Sequence, residues 1–134
     1  MKNKSKFKIS ILMTVFNDEK FVMRSLKSLI NQSFKKWEAI IIDDYSTDNT
    51  ANLIKKFKDK RIKYFKPKKH LGRTPALNVG LKYCNGKYIS ILDADDFYYK
   101  DKLKKQVRLL EDNKSIKFLA SWANIIDSRG KKIS

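Results

Sequence analysis

Residues 38–44 read Glu-Ala-Ile-Ile-Ile-Asp-Asp (EAIIIDD), an unbroken apolar run that ends in two carboxylates. Apolar character without alternation predicts a strand, here Glu38–Asp43, that is covered on both faces, as strands of parallel sheets are. Two other stretches have the same form, Lys8–Thr14 (KISILMT) and Lys87–Asp93 (KYISILD), and a shorter alternating strand is predicted at Arg61–Lys66 (RIKYFK).

Amphipathic segments separate these strands and predict helices. Apolar residues recur at three-to-four spacing from Asp18 to about Ser33, and Asn17 or Asp18 is placed to cap this helix. Further helices are predicted after the turn YSTDNT, from Pro75 to about Cys84 and from Asp101 to about Asp112, and Ile116–Ile126 is predicted to return to strand. This alternation predicts an α/β fold, a mostly parallel sheet with helices on both faces.

The chain is expected to form a single domain over residues 1–134. Its length allows a core that buries roughly two-thirds of the unfolded surface, and 42% hydrophobic residues exclude a disordered tail. Because the chain stops directly after the turn DSRGKK, which would start a hairpin, we expect the domain to be a partial one.

The composition limits where the protein works and what it binds. A lone Cys84 excludes an internal disulfide framework, and no apolar run approaches the roughly 20 residues of a spanning helix, so we expect a cytoplasmic protein. The chain has 31 Lys and Arg residues and 14 Asp and Glu residues, which gives a net charge of +17. Few of these basic residues are arginines, which proteins that recognise nucleic-acid sequence favour. A merely solvated lysine-rich surface and a surface drawn to anionic lipid or a polyanionic substrate both remain open.

Acidic residues concentrate at two predicted strand ends, which share one edge of a parallel sheet, where ligands bind. Six of the 14 form two clusters: Asp43, Asp44, Asp48, Asp93, Asp95 and Asp96. In LDADD, two carboxylates one residue apart suit Mg²⁺ or Mn²⁺ shared with substrate phosphates, unless Asp95 or Asp96 caps a short turn. In IIDDYSTDNT, Asp43 or Asp44 is placed to bind a nucleobase edge or ribose hydroxyls, whereas Asp48 is expected to cap the following helix.

The basic loop KPKKHLGR (residues 66–73) supplies one further candidate. Arg73, beside Gly72 at a predicted helix start, is suited to a diphosphate because a guanidinium and free helix amides would meet there. Lys68, Lys69 and His70 are expected to form an exposed loop.

The aromatic residues have predicted positions, and several known catalytic and nucleotide-binding motifs do not occur in the sequence. Phe16 either stacks on a base beyond the first strand or packs in the core, whereas Trp37 and Trp122 are expected in the core. Neither a G-x-G-x-x-G after the first strand nor a phosphate-loop motif occurs, which excludes dinucleotide and P-loop proteins. One His and one Cys in unrelated contexts also exclude Ser-His-acid and Cys-His catalysis.

Four motifs in order, ISILMTVFN, IIDDYSTDNT, GRTPALNVGL and GKYISILDADD, together resemble the nucleotide-binding half of the family 2 glycosyltransferases, from about Lys8 to Lys132. The resemblance implies the Rossmann-like GT-A fold and a metal-assisted, inverting transfer from a nucleotide-diphosphate sugar, with a UDP-sugar as the expected donor. The reaction implied is hexosyl or N-acetylhexosaminyl transfer to a hydroxyl of a glycan or lipid-linked acceptor in cell-surface polysaccharide synthesis.

The resemblance also assigns residues. It implies that Thr14 and Phe16 line the base pocket, that Asp44 contacts the base and that Arg73 lies near the diphosphate. Asp93 and Asp95 match the D-x-D of the family, with Asp93 toward the ribose and the metal and Asp95 as direct ligand of Mn²⁺ or Mg²⁺.

Two departures limit what the resemblance implies. Tyr45 stands where the family commonly has Gly, and a bulky residue resists the backbone turn that Gly permits. The acceptor-activating carboxylate of the family lies beyond the end of this chain, so no catalytic residue is assigned. A non-catalytic nucleotide-sugar-binding module is therefore the alternative, and peripheral contact with an anionic membrane at its cytoplasmic face is a further expectation.

Overall fold

The structure, a computed structural model, describes residues 7–133 and contains four strands and four helices in that range. The elements are β1 (Ile9–Val15), α1 (Val22–Ile30), β2 (Trp37–Asp43), α2 (Thr50–Lys55), β3 (Ile62–Phe65), α3 (Arg73–Leu81), β4 (Tyr88–Ile91) and α4 (Lys102–Asp112). Contacts divide the chain into two compact units, Met1–Lys104 and Lys105–Ser134. No helix in the described range is both long and apolar enough to cross a membrane.

The first unit contains one parallel sheet with the strand order β3-β2-β1-β4. Leu12 in β1 lies between Ile40 of β2 and Ile91 of β4. The chain adds β2 and β3 on one side of β1 and then returns to place β4 on the other side. Such a reversal opens a crevice at the carboxyl ends of the strands, and the sequence prediction of a mostly parallel sheet is confirmed.

The core of the first unit covers both faces of the two middle strands. Every side chain of β2 is buried, and in β1 only Thr14 is partly exposed. Helix α3 packs on one face, where a Cβ added at Gly80 would lie 2.3 Å from Leu12 Cδ1. Only glycine lets α3 approach β1 this closely. This close approach explains why glycine stands inside the helix, where alanine would have the higher helix propensity.

The buried carboxylate of Glu38 links strands at the amino end of the sheet. Glu38 Oε1 accepts hydrogen bonds from Ser10 Oγ at 2.7 Å and from the Asn85 backbone N–H at 2.7 Å, and Oε2 accepts one from Lys63 Nζ at 2.9 Å. Burial alone would oppose ionisation of Glu38, but these hydrogen bonds outweigh it and lower the pKa of the carboxyl. Glu38 thus joins β1, β3 and the turn before β4.

Ser28 of α1 and Gln32, which lies just after this helix, bind the segment that follows β4. The Ser28 hydroxyl accepts the Tyr98 N–H at 3.0 Å, and Gln32 Nε2 donates to the Tyr99 carbonyl at 2.8 Å. Gln32 Oε1 accepts the Leu103 N–H at 3.1 Å, and the whole of Gln32 is buried. Ser28 and Gln32 therefore belong to an internal contact surface between the end of α1 and the segment after β4.

Two predictions from the sequence are wrong, one in the first unit and one in the second. Helix α1 begins at Val22, so neither Asn17 nor Asp18 caps it; the Asp18 carboxylate instead accepts the Phe16 N–H at 2.9 Å. Residues 116–126 do not form a strand, because an apolar run becomes a strand only where a neighbour pairs with its backbone. The pairing that the described residues give this segment is one bridge between Ile126 and Lys132.

The two tryptophans have opposite environments. Trp37 is fully buried at the start of β2, as predicted. Trp122 is fully exposed, so its assignment to the core is wrong. Core packing of Trp122 depended on the strand at 116–126, which does not form.

Candidate functional site

A cavity of about 440 Å³ opens at the carboxyl edge of the sheet in the first unit. The ends of three neighbouring strands and the start of one helix surround it, as expected for a parallel sheet. The cavity brings together every site residue that the family resemblance assigns, and it adds others. Its lining consists of Thr14, Val15, Phe16, Asp18, Asp44, His70, Gly72, Arg73, Asp93, Ala94 and Asp95.

The loop after β1 presents Phe16 to this cavity. Asn17 adopts a positive φ of 55°, a conformation that asparagine tolerates better than most residues. Its backbone N–H donates to Ser46 Oγ at 3.0 Å, and its side-chain Oδ1 accepts the Thr47 N–H at 2.9 Å. These bonds tie the loop after β1 to the loop after β2, and the Phe16 ring remains 49% exposed rather than entering the core.

Phe16 and His70 form an aromatic wall of the cavity. Their ring centroids lie 4.7 Å apart with the planes tilted by 44°. His70 Nδ1 lies 3.0 Å from the Asp44 carbonyl oxygen and 3.1 Å from Asp44 Oδ2, two acceptors that favour a proton on Nδ1. The predicted exposure of His70 is confirmed, since 55% of its side chain is accessible. Its place in the cavity wall was not predicted, because a single His among lysines carries no sequence signal.

Asp44 is buried and bonds to the loop that precedes α3. Its Oδ1 accepts the Leu71 N–H at 2.6 Å and its Oδ2 accepts the Gly72 N–H at 2.8 Å. Gly72 has a φ of 89°, which favours glycine, and is the residue before the first turn of α3. Asp44 thus fixes the turn from which Arg73 extends.

Arg73 connects the start of α3 to the end of β4. Its Nη2 donates to Asp93 Oδ1 at 2.7 Å, and this charged hydrogen bond raises the pKa of Arg73. Both side chains are about half exposed and line the cavity together with Asp95. Helix α1 also holds the segment that contains Asp93 and Asp95. Ser25 Oγ donates to the Asp93 carbonyl and Arg24 Nη2 donates to the Asp95 carbonyl, each at 3.4 Å.

Asp18 is a fourth carboxylate of this cavity, beside Asp44, Asp93 and Asp95. Burial raises the pKa of Asp18, the hydrogen bond from the Phe16 N–H opposes that rise, and the negative charge of Asp95 adds to it. The sequence suggested only a helix cap for Asp18, because its proximity to Asp95 depends on the sheet topology.

The remaining aspartates of the second strand end have local roles. Asp43 is buried and accepts the Ser46 N–H at 2.7 Å and the Tyr64 hydroxyl at 2.5 Å. Asp48 accepts the Thr50 N–H at 2.9 Å, but the N-cap residue of α2 is Asn49 and no side chain caps this helix, so the predicted capping role of Asp48 is wrong. Of the Asp43 and Asp44 pair, only Asp44 lines the cavity.

The arrangement suits a ligand that combines a flat ring with negative charge. Phe16 offers a ring for stacking, Arg73 a guanidinium for phosphate oxygens, and Asp93 and Asp95 carboxylate oxygens of the kind that Mg²⁺ and Mn²⁺ prefer. Within residues 7–133, no group of three or more His, Cys, Asp or Glu side chains is arranged to hold a metal ion. A cation held here would therefore take its remaining ligands from a bound phosphate or from water.

Comparisons with known proteins find relatives named as glycosyltransferases. The chain is 42% identical over 127 residues to an uncharacterized glycosyltransferase of Rickettsia conorii, which covers 94% of this chain and 21% of that protein. It is 34% identical over 120 residues to the Escherichia coli UDP-Glc:alpha-D-GlcNAc-diphosphoundecaprenol beta-1,3-glucosyltransferase WfgD, covering 90% of this chain and 47% of WfgD. The chain thus spans less than half the length of these two relatives.

Solved structures share the fold of most of this chain. S. aureus TarS 1–349 in complex with UDP-GlcNAc matches with a TM-score of 0.76 and 29% identity, over 79% of this chain and 32% of the TarS 1–349 chain. The mannosyltransferase PcManGT from Pyrobaculum calidifontis, in complex with GDP-Man and Mn²⁺, matches with a TM-score of 0.73 and 22% identity over 79% of this chain and 33% of PcManGT, a likeness of fold alone.

These neighbours confirm the expected Rossmann-like GT-A fold. Residues 10–133 match the model described as Glycosyl transferase family 2. The chain therefore belongs to glycosyltransferase family 2.

Proposed function

We propose that the cavity is the donor site of a glycosyltransferase that binds a nucleoside-diphosphate sugar, with a UDP-sugar as donor. One observation carries this proposal: an exposed aromatic ring, a guanidinium and two carboxylates line a single cavity at the carboxyl edge of the sheet. The names of WfgD and of the TarS complex, which contain UDP-Glc and UDP-GlcNAc, support the choice of UDP and of a hexose or N-acetylhexosamine.

In this proposal the base lies against the wall beyond β1. Phe16 offers its exposed face for stacking, while Thr14 and Asp44 line the same part of the cavity. Stacking would hold the base without distinguishing among bases, so polar groups around the ring would decide between uracil and guanine.

In this proposal Arg73 would bind the diphosphate, and Asp93 and Asp95 would hold the cation. Two carboxylates that line one cavity and leave most coordination positions open fit a cation shared with phosphate oxygens. A bound Mn²⁺ or Mg²⁺ would offset the charge that develops on the departing diphosphate. Arg73, which bonds Asp93 at 2.7 Å, is placed to do the same with its remaining N–H groups.

The transfer itself needs an acceptor hydroxyl that loses its proton and attacks the anomeric carbon from the face opposite the diphosphate, with inversion. We assign no general base in the described residues. A nucleotide-sugar-binding module without transferase activity is therefore the second candidate. Donor turnover by the chain with a glycan or lipid-linked acceptor present would support the enzyme, and tight donor binding without turnover would support the module.

Titration calorimetry tests the donor site. We expect UDP to bind in the presence of Mn²⁺ and to lose most of its affinity in chelator, with GDP and dTDP measured in parallel. Asp95→Ala should reduce the Mn²⁺-dependent affinity at least tenfold, about 1.4 kcal/mol. Asp112→Ala is the matched control, because Asp112 is an exposed residue of α4. A folded protein that binds none of these nucleotides would contradict the proposal.

The lysine-rich surface supports a place at the cytoplasmic face of an anionic membrane, where a lipid-linked acceptor would be met. A net charge of +17 favours contact with anionic lipid, and salt should weaken that contact. Vesicle flotation with and without anionic lipid measures this directly, and binding that ignores anionic lipid would contradict it.

A further inference from the structure

We propose that Tyr98 is a positioning residue for the cation site and acts through residues 92–97, the acidic loop, which carries Asp93 and Asp95. The inference rests on the proposed function, because that function assigns these two carboxylates to a Mn²⁺ or Mg²⁺ ion. Tyr98 itself does not line the cavity. Its role is to determine where the acidic loop leaves the sheet.

The Tyr98 hydroxyl closes the acidic loop at its base. It donates to the carbonyl of Ile91, the last residue of β4, at 2.6 Å. The Leu92 N–H, in the same trans peptide as this carbonyl, donates to the Leu12 carbonyl of β1 at 3.1 Å. The Ile91 carbonyl therefore points away from β1. The hydroxyl supplies a bond that β1 cannot, at the point where the chain leaves the sheet.

The Tyr98 side chain is fixed at both its hydroxyl and its ring. Because a carbonyl can only accept, the hydroxyl hydrogen goes to Ile91, and Ser90 Oγ, 2.7 Å from the Tyr98 oxygen, is the donor of that second pair. Burial raises the pKa of Tyr98 to about 12, so the hydroxyl keeps its hydrogen at neutral pH. Lys102 Nζ lies 4.2 Å from the ring centroid and holds the ring by a cation–π contact.

Helix α1 fixes the backbone of Tyr98. Ser28 Oγ accepts the Tyr98 N–H at 3.0 Å and donates its own hydrogen to the Ser25 carbonyl at 2.7 Å. One residue thus attaches the end of the acidic loop to α1 through its backbone and to β4 through its side chain.

The acidic loop alternates between the core and the cavity. Leu92 and Ala94 are 1% and 4% exposed, whereas Asp93 and Asp95 line the cavity. Two carboxylates one residue apart can share a cation only while this alternation holds, because rotation of the backbone would move one of them away. Tyr98 keeps the loop in this conformation before the cation binds, which lowers the entropic cost of binding.

Tyr98→Phe tests the role of the hydroxyl because it keeps the ring. The acidic loop loses its bond to the Ile91 carbonyl, while Ser28 still accepts the backbone N–H of residue 98. We expect the Mn²⁺ affinity of the UDP-saturated chain to fall about tenfold, as is typical when a group that orients a metal ligand is lost. The spectrum of the bound Mn²⁺ should change as well, because the carboxylates no longer have one fixed arrangement.

Electron paramagnetic resonance measures both quantities, since the signal of free Mn²⁺ gives the affinity and the bound signal depends on the ligand arrangement. Tyr83→Phe is the matched control, because the Tyr83 ring stacks on Phe65 and its hydroxyl forms no hydrogen bond within residues 7–133. Glu38→Gln controls for stability, because it removes a buried charge at the amino end of the sheet. Both controls should bind Mn²⁺ as the wild type does.

Folded Tyr98→Phe with the affinity and spectrum of the wild type would overturn the inference. It would also be overturned if Glu38→Gln lowered the Mn²⁺ affinity as much as Tyr98→Phe, because the loss would then reflect stability alone. No Mn²⁺ binding to the UDP-saturated wild type would overturn the proposed function and the inference with it.

A second variant keeps the test decisive if Tyr98→Phe does not fold, which thermal melting without ligand checks. Ser28→Ala removes the acceptor of the Tyr98 N–H and leaves the hydroxyl in place. It should lower the Mn²⁺ affinity in the same direction, because the same end of the acidic loop is released. Unchanged Mn²⁺ affinity in Ser28→Ala would then count against the inference.

Discussion

Replacing Glu38 by Gln should destabilise the protein through loss of charge in a fully buried site. Glutamine keeps one oxygen for Ser10 and Asn85 but turns an NH₂ group toward Lys63 Nζ, which now lies 2.9 Å from Oε2. The lost charged bond is worth about 1.5–3 kcal/mol, and the two remaining bonds fall from charge-assisted to neutral strength. Because Lys63 is 38% exposed and can turn to water, we expect a net loss of about 2–4 kcal/mol.

The pH dependence separates this mechanism from a simple packing defect. The pKa of Glu38 is lowered from 4.5 in the folded protein, so its contribution to the free energy of unfolding is fully present above about pH 4.5. That contribution is lost as the pH falls through the folded pKa. The difference between wild type and Glu38→Gln should therefore be constant at neutral pH and shrink below pH 4.5.

Urea unfolding at several pH values measures the effect. The m-value should stay unchanged, and the control Asp112→Asn, in an exposed pair with Arg108, should shift stability by less than about 0.5 kcal/mol. A Glu38→Gln loss under 0.5 kcal/mol at pH 7, or a loss that persists undiminished at pH 3, would refute the reasoning.

Three further substitutions test other features by thermal or urea unfolding. Tyr45 holds a φ of 73°, so Tyr45→Gly should be more stable than Tyr45→Ala by about 1 kcal/mol; equal stabilities would argue against backbone strain. Gly86→Ala should cost at least about 3 kcal/mol, because its Cβ would lie 2.4 Å from the Ser10 backbone nitrogen, and a neutral result would contradict that packing. Gln32→Ala should cost about 2–4 kcal/mol and also weaken Mn²⁺-dependent UDP binding, whereas the exposed Asn31→Ala should do neither.

The sheet could be predicted from sequence because its signals are local. An unbroken run such as residues 39–42 is rare outside a strand that is covered on both faces, and the described β2 matches it. The predicted positions of Asp44 and Asp93 at one edge followed from topology alone, since parallel strands end on the same side.

Contacts between distant segments could not be predicted in the same way. Gln32 is a polar residue just after α1 and carries no sequence signal for its partners, because only the fold brings Tyr99 and Leu103 to its amide. His70 and Asp18 join the cavity for the same reason, since their partners lie on other loops. At residues 116–126 the sequence predicted a strand that the structure does not contain. Their composition is typical of a strand, but without a pairing partner the backbone stays irregular.

The central position of β1 constrains how the chain folds during its synthesis. Leu12 pairs with Ile40 on one side and with Ile91 on the other. At about 5–20 residues per second, the ribosome adds Ile91 roughly 4–16 seconds after Leu12. Throughout that interval one edge of the most apolar strand has no neighbour, and unpaired strand edges are prone to aggregation. Lys6 and Lys8, which precede β1, then act as protection for the nascent chain, because charge beside an unpaired strand opposes aggregation, a role separate from anything the finished site does.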